Sequence, residues 1–291
     1  MKNLVYRKDT PYPELAPLER QKILITGANG WIGSNLSPYL AKRHDLRLMV
    51  MDAEEDSAKK LIPFGEVVEC RLEDRDRMKE ITSGIDTVIH LAAGVNYHLP
   101  WKPLLDANII GCYNAMVAAK AAGCRRVVFT SSVHTVSAYP PNLPIETNEP
   151  VNPGSLYGVT KVFGEALARY MAVREGLSSF CIRIAGYKRS DKAINDTNGT
   201  MMGFSFFIPD FHHMIDLCIE DTELQFAVLN GVSDNRYKRL ALEDTIEAIG
   251  YDSQYDSYAL SEHWDGTPPS MHYEFTTPIE PEKSGLRDDL P

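Results

Sequence analysis

The stretch Lys22-Ile-Leu-Ile-Thr-Gly-Ala-Asn-Gly-Trp-Ile-Gly33 joins a short apolar run to a turn that contains three glycines. The run from Lys22 to Thr26 has the length and composition of a buried parallel strand, and apolar residues at helical spacing follow Gly33. Glycines at this point permit a tight turn and let backbone N–H groups approach a phosphate at the start of a helix. The stretch predicts a strand, a phosphate-binding turn and a helix, although a glycine turn alone is a common feature.

A carboxylate, Asp52, ends the next apolar run, Leu46 to Met51, and lies 19 residues beyond Gly33. In a dinucleotide-binding unit, a carboxylate at about this distance accepts hydrogen bonds from ribose hydroxyls and repels a 2′-phosphate. We therefore expect the cofactor to be NAD rather than NADP. The other interpretation of Asp52 is a turn residue at the end of a strand.

Apolar runs and helical patterns alternate along the rest of the chain. The runs that predict further strands are Val67-Val68, Thr87–Leu91, Arg126–Thr130, Phe180–Ile184 and Leu224–Leu229. Helices are predicted over 108–122, around Tyr157, over 211–220 and from about 242 to 249. Repeated β-α units of this length predict an α/β fold, a doubly wound parallel Rossmann sheet with helices on both faces.

The regular alternation ends near residue 184, and we expect a small C-terminal substrate-binding cap beyond it. We divide the chain into an N-terminal extension (1–21), an NAD-binding Rossmann domain that carries the catalytic residues (22–184), a substrate-binding region (185–265) and a C-terminal tail (266–291).

Charge and composition exclude several classes of function. The net charge of -10 and the pI of about 5.3 argue against binding to nucleic acid or to an anionic membrane. The polar N-terminus has no apolar signal-peptide core, so we expect a cytoplasmic protein. Five cysteines without CxxC spacing predict buried free thiols, and no histidine pair has the spacing of a metal site.

Tyr157 and Lys161 lie four residues apart in the run Ser155-Leu-Tyr-Gly-Val-Thr-Lys-Val-Phe-Gly-Glu165. On a helix, this spacing puts both side chains on one face, one turn apart. A nearby ammonium favours the phenolate and lowers the pKa of a tyrosine toward the pH at which it can transfer protons. Taken alone, the pair is more typical of an ordinary amphipathic helix with one exposed tyrosine and one exposed lysine, so the surrounding motifs decide its interpretation.

These motifs occur in a recognisable order: Gly27-x-x-Gly30-x-x-Gly33, His90-Leu-Ala-Ala93, Asn108, Ser131-Ser132 and Tyr157-x-x-x-Lys161. Over residues 22–250 the chain resembles the extended short-chain dehydrogenases/reductases of the NAD-dependent epimerase/dehydratase type. Three runs look most like uronate dehydrogenases, which oxidise the anomeric carbon of a hexuronic acid to a lactone. The runs are Asn108-Ile-Ile-Gly-Cys-Tyr-Asn114, Ser131-Ser-Val-His-Thr135 and Leu156-Tyr-Gly-Val-Thr-Lys161.

The resemblance assigns a role to each motif. Tyr157 is expected to be the general base, Lys161 to hold the nicotinamide ribose and lower the pKa of Tyr157, and Ser132 to position the substrate oxygen. Cofactor contacts are expected from Gly27, Asn29, Gly30, Trp31, Ile32, Gly33, Asp52, Leu72, Leu91, Ala92, Ala93, Asn108, Tyr157 and Lys161. Substrate contacts are expected from Val95, Ser132, Val133, His134, Tyr157 and Arg189. Other interpretations stay open for Asn108, as a brace or an ordinary helix amide, and for His134, as a strand-end histidine.

Three positions depart from the uronate dehydrogenase pattern. Arg71 stands where that group has an aspartate near the adenine, Val95 where it has a serine, and Val133 where it has an asparagine. The arginine that binds the substrate carboxylate in that group has no clear counterpart in this sequence, and Arg189 is the candidate to replace it. Apolar groups in place of polar ones disfavour a polar ligand, because its hydroxyls lose their partners. The identity of the sugar therefore stays open.

The sequence predicts an NAD-dependent oxidoreductase that oxidises a free sugar or sugar acid at the anomeric carbon, as a homo-oligomer. A nucleotide-sugar epimerase or dehydratase is the main alternative, although only 107 residues follow Ile184 to hold a nucleotide. A reductase of small carbonyl compounds is another. A non-catalytic NAD-sensing protein has no need of the Tyr157–Lys161 pair, and the intact pair argues against it.

Overall fold

The computed structural model of the protein describes residues 6–7, 20–95, 99–140, 143–189 and 199–268. Its strands are β1 (Tyr6–Arg7), β2 (Lys22–Thr26), β3 (Asp45–Val50), β4 (Glu66–Glu69), β5 (Thr87–His90), β6 (Arg126–Ser132), β7 (Ser178–Ile184), β8 (Gly186–Lys188), β9 (Ser205–Phe207) and β10 (Leu224–Gly231). Eight of them form one sheet in the order β1-β10-β7-β6-β5-β2-β3-β4. The seven strands from β10 to β4 run parallel, and β1 pairs antiparallel with β10. The predicted parallel Rossmann sheet is confirmed.

Helices cover both faces of this sheet. The α-helices of the described residues are α1 (Trp31–Leu40), α2 (Asp56–Lys59), α3 (Arg75–Thr82), α4 (Trp101–Leu104), α5 (Cys112–Ala121), α6 (Leu156–Glu175), α7 (Gly199–Met202), α8 (Ile208–Glu220), α9 (Glu243–Ile249) and α10 (Ser257–Leu260). A π-helical segment, Leu105–Gly111, joins α4 to α5, so the helix predicted over 108–122 is regular only in its second part.

Two apolar layers hold the helices to the sheet. Alternate residues of a strand point to opposite faces, so Ile23 and Ile25 enter one layer while Leu24 enters the other. The first layer packs α1 and α8 against the sheet, and the second packs α3, α5 and α6. All five cysteines are buried free thiols, as the sequence predicted.

The strand order indicates where a ligand would bind, at the carboxyl edge of the sheet. From β2 the chain adds β3 and β4 on one side, and β5 then returns to the other side of β2. Connections leaving β2 and β5 therefore diverge at this edge, which is where open α/β sheets bind ligands. The glycine turn follows β2 at the same edge.

The ends of the chain are described only in part. Two described parts of the expected N-terminal extension contact the sheet. The strand β1 pairs with β10, and the buried side chain of Gln21 bonds to Thr87 and to the carbonyl oxygen of Ile219. Residues 269–291, most of the expected tail, lie outside the described residues. Among the residues described, no helix is long and apolar enough to cross a membrane, and no three metal-binding side chains cluster.

Candidate active site

The helix α6 carries Tyr157 and Lys161 on its buried face. Ser155 caps its first turn by accepting a hydrogen bond from the N–H of Gly158 at 3.1 Å, so the helix begins at Leu156, one residue before Tyr157. Only 7% of Tyr157 and 4% of Lys161 is exposed. The predicted shared face therefore turns toward the carboxyl end of β6 and away from bulk water.

The hydroxyls of Tyr157 and Ser132 are hydrogen-bonded to each other. Burial raises the pKa of Tyr157 to about 12, while the hydrogen bond with Ser132 lowers it. The ring of His134 lies against the ring of Tyr157, with 5.6 Å between centroids and 77° between planes. Burial also lowers the pKa of His134, so this imidazole is neutral near pH 7.

Lys161 lies between the end of β6 and the ring of Tyr157, and its expected effect on the pKa of Tyr157 stays a prediction. Its Nζ donates a hydrogen bond to the carbonyl oxygen of Thr130 at 2.8 Å and lies 5.7 Å from the centre of the Tyr157 ring. Burial, partly offset by Cys112, lowers the pKa of Lys161 to about 8. The strand end therefore holds the ammonium, and burial governs the pKa of the phenol.

Asn108 connects the loop after β5 to the catalytic helix. Its Oδ1 accepts from the N–H of Gly94 at 2.7 Å, and its Nδ2 donates to the carbonyl of Gly94 at 3.1 Å and to Oγ1 of Thr160 at 2.9 Å. Thr160 in turn donates to the carbonyl oxygen of Tyr157 at 2.7 Å. Because protein groups occupy its amide, Asn108 fits the bracing interpretation better than direct contact with the cofactor.

The glycine turn forms an open backbone cradle at the start of α1. Gly27 has a φ of +68°, and a Cβ there would lie 2.9 Å from Cα of Ala92. A Cβ at Gly33 would lie 2.6 Å from the carbonyl oxygen of Ala28. Only glycine permits these approaches, which leave the N–H groups at the start of α1 available to a pyrophosphate. The cradle fits a dinucleotide.

The other predicted cofactor residues lie in this turn, at the start of α1, or follow the carboxyl ends of β3, β4 and β5. Asp52 is exposed two residues beyond the end of β3. Its Oδ1 accepts a hydrogen bond from the N–H of Glu54 at 2.8 Å. Asn29 donates to Glu55 at 3.2 Å, Trp31 is 57% exposed and Ile32 is half-buried. Leu72 is buried against the π-helical segment, while Leu91, Ala92 and Ala93 are half-buried at the end of β5.

The predicted substrate residues fall into two groups. Ser132 and His134 lie beside Tyr157, and Val133 between them packs against the core. Val95 is 69% exposed, and Arg189 is exposed beyond β8. Each of these two borders a segment outside the described residues, and their contact with substrate stays a prediction.

Sequence reasoning missed two residues that support the site. His90 Nδ1 shares a hydrogen bond with Oγ1 of Thr26 at 2.8 Å, and burial lowers the pKa of His90 to about 3. Glu165 is buried and accepts a hydrogen bond from Oγ of Ser131 at 2.6 Å. The only sequence signal for Glu165 was its position four residues after Lys161 on the same helix.

Comparison with known proteins agrees with this geometry. The profile of the NAD dependent epimerase/dehydratase family matches residues 23–186. The chain belongs to this family. Its match begins in β2, contains the glycine cradle and the Tyr157–Lys161 pair, and ends at the start of β8. NAD is therefore its cofactor.

Several of the relatives are sugar dehydrogenases. A uronate dehydrogenase from Pseudomonas syringae pv. tomato is 31% identical over 219 residues, which are 74% of this chain and 75% of the relative. An NAD-dependent glucose-6-phosphate dehydrogenase from Haloferax volcanii is 29% identical over 252 residues, 81% of this chain and 94% of the relative. The crystal structure of uronate dehydrogenase from Agrobacterium tumefaciens superposes with a TM-score of 0.76 at 29% identity, covering 87% of this chain and 92% of that chain. The resemblance predicted from the motifs is confirmed.

Proposed function

We propose that this protein is an NAD-dependent dehydrogenase that oxidises a free sugar or sugar acid at its anomeric carbon, giving a lactone. The observation that carries the proposal is the buried pair of hydroxyls, Ser132 and Tyr157, beside Lys161 at the edge of the sheet that also holds the glycine cradle. The sugar dehydrogenases among the relatives, similar over most of the chain, support the substrate class.

Each side chain has a distinct share in the reaction. Bound NAD supplies the acceptor for the hydride that leaves C1 of the sugar. Tyr157, as the phenolate, accepts the proton of the C1 hydroxyl while the C1 carbonyl forms. Ser132 holds the same oxygen, and its hydrogen bond favours the phenolate of Tyr157. Lys161, anchored on Thr130, keeps a positive charge within 5.7 Å of the Tyr157 ring.

A second group of proposals concerns substrate selection. His134 is neutral beside Tyr157 and can exchange a hydrogen bond with a sugar hydroxyl, whereas Val95 and Val133 offer no polar atom from their side chains. Arg189 is the proposed partner for an anionic group on the sugar. Both enzyme names above describe sugars that carry such a group. We therefore favour an anionic sugar with few contacts to its ring hydroxyls.

The nucleotide-sugar epimerase or dehydratase alternative is less favoured. An epimerase returns the hydride to its substrate, so NAD undergoes no net reduction, whereas a dehydrogenase accumulates NADH. Incubation with NAD and a panel of uronic acids, hexose phosphates, neutral aldoses and UDP-sugars distinguishes them. We expect NADH from at least one free sugar; epimerised or dehydrated UDP-sugar without NADH would overturn the proposal.

We also propose that the protein is a cytoplasmic homo-oligomer. Buried free thiols fit a reducing compartment. The outward surfaces of α5 and α6 expose Tyr113, Val159, Tyr170 and Val173, each between 43% and 52% exposed. A second copy of the chain would cover this paired apolar face. Tyr170→Glu with Val173→Glu should reduce the mass measured by light scattering, while Ile62→Glu, at a 63% exposed position elsewhere, should not.

A further inference from the structure

Three successive turns of α6 contact three successive residues of β6. Tyr157 is hydrogen-bonded to Ser132, Lys161 donates to the carbonyl of Thr130 at 2.8 Å, and Glu165 accepts from Oγ of Ser131 at 2.6 Å. The first two contacts belong to the reaction. The third lies two turns away from the reacting hydroxyl, and its chemistry is not used by the proposed mechanism.

Glu165 is also bound to the neighbouring strand. Arg183 donates from Nε to Oε1 and from Nη2 to Oε2 of Glu165, each at 3.0 Å, and faces Ser131 across the β6–β7 register. The side chains of Arg183 and Glu165 are only 3% and 7% exposed. A two-point contact between a guanidinium and a carboxylate fixes distance and orientation. Such buried pairs contribute little net stability, so their main effect here is geometric.

The same network reaches the C-terminal part of the chain. Arg183 donates from Nη1 to the carbonyl oxygen of Thr147 at 3.4 Å. The backbone N–H and Oγ1 of Thr147 donate to Oδ2 of Asp244 at 3.2 and 2.8 Å. Asp244 lies in the first turn of α9. The network therefore joins β6, β7 and α9 to one point on the catalytic helix.

We propose that Glu165 and Arg183 are positioning residues that set the distance between the hydroxyls of Tyr157 and Ser132 by fixing the register of α6 on β6 through Ser131. This inference rests on the proposed function. Glu165 lies eight residues, about 12 Å, along the helix from Tyr157, so a change of tilt at Glu165 displaces the phenol. A displacement of about 1 Å at a reacting group can cost on the order of 100-fold in rate.

Ser131→Ala tests the inference because it removes the contact between β6 and Glu165 and leaves the ion pair with Arg183 intact. We expect kcat to fall by roughly 10-fold or more while the KM for NAD is unchanged. We also expect the rise of kcat with pH to shift to higher pH, since a displaced Tyr157 loses the hydrogen bond that lowers its pKa. The neighbouring titratable groups, His134 and Lys161, are unchanged in this variant.

Ser178→Ala is the matched control. Like Ser131, Ser178 is a buried serine bonded to one member of an arginine–carboxylate pair: it accepts a hydrogen bond from Nε of Arg126 at 2.9 Å, but at the amino end of β7. It should leave kcat and its pH profile as in the wild type. Glu165→Gln and Asp221→Asn, which each weaken a buried arginine pair, extend the comparison. Both should lower the melting temperature, and only Glu165→Gln should shift the pH profile.

A measurement without turnover keeps the two proposals separate. The ¹³Cζ resonance of Tyr157 in the complex with NAD, assigned by its loss in Tyr157→Phe, reports the ionisation of the phenol. A higher midpoint in Ser131→Ala than in Ser178→Ala supports positioning, even if no tested sugar is oxidised. Identical midpoints, or wild-type kcat and pH profile in Ser131→Ala, would overturn it while leaving the proposed function intact.

Discussion

Lys161 donates its hydrogen bond to the carbonyl oxygen of Thr130 at 2.8 Å, and its ammonium lies 5.7 Å from the centre of the Tyr157 ring. The lysine is therefore anchored to the strand instead of the phenol. Burial shifts the two pKa values in opposite directions, to about 8 for Lys161 and about 12 for Tyr157. Both shifts favour the neutral forms, because burial penalises the phenolate of Tyr157 and the ammonium of Lys161 alike.

The first prediction concerns stability and pH. The pKa of Lys161 is lowered from 10.5 to about 8 on folding, so between these values the unfolded chain binds more protons than the folded protein. The contribution of Lys161 to folding should therefore become more favourable as pH rises through this window, by on the order of 1 to 3 kcal/mol. The stability difference between wild type and Lys161→Met, from urea unfolding, should follow this rise. The exposed control Lys120→Met should show none, and a constant difference for Lys161→Met would contradict the prediction.

The second prediction concerns the proton acceptor. Tyr157→Phe removes the phenol oxygen and keeps the ring packed on His134, so kcat should fall by about 10² to 10⁴-fold. The affinity for NAD, measured by titration calorimetry, should be nearly unchanged. Tyr139→Phe, which removes a hydroxyl bonded to the carbonyl of Pro150 at 2.8 Å, is the control and should keep wild-type kcat. Turnover retained in Tyr157→Phe would rule out the assigned base.

The third prediction concerns cofactor choice. Asp52→Ala removes an exposed carboxylate placed to accept from ribose hydroxyls, at a cost of about 1.5 to 3 kcal/mol, or roughly 10- to 100-fold in NAD affinity. The preference for NAD over NADP should become smaller, because the carboxylate that repels the 2′-phosphate of NADP is gone. Asp56→Ala, an exposed carboxylate in α2, should change neither affinity. An unaltered NAD to NADP ratio in Asp52→Ala would exclude the ribose contact.

The fourth prediction separates backbone strain from loss of the cradle. Gly27 and Gly84 have nearly the same φ, +68° and +71°, but a Cβ would meet Ala92 at Gly27 and nothing within 4 Å at Gly84. Gly84→Ala should cost about 1 to 2 kcal/mol of stability and leave NAD binding intact. Gly27→Ala should cost more stability than Gly84→Ala and should also weaken the binding of NAD. Equal losses of stability with unchanged NAD affinity in both variants would contradict the assignment of the cradle.

Features set by local sequence could be predicted. The strand from Lys22 to Thr26, its glycine turn and the shared face of Tyr157 and Lys161 depend on spacing within a few residues. The carbonyl that receives the Lys161 ammonium could not be predicted, because it depends on how α6 packs on β6. Glu165 was missed for the same reason: its partner Arg183 is 18 residues away in sequence and on another strand.

The π-helical turn at Leu105–Gly111 and the contacts of Asn108 show the same limit. Local sequence predicted a helix there, but tertiary contacts with Gly94 and Thr160 determine the direction in which the amide points. The positions of Val95 and Arg189 are still predictions, as both border segments beyond the described residues.

The most direct test of the central claim uses a sugar that is deuterated at C1. The protein is incubated with NAD and a deuterated sugar that the substrate panel identifies, and the reduced cofactor is weighed by mass spectrometry. We predict reduced cofactor that carries one deuterium. In Tyr157→Phe we predict that almost no reduced cofactor forms. Reduced cofactor without deuterium, or a deuterated product formed with no reduction of NAD, would contradict oxidation at the anomeric carbon.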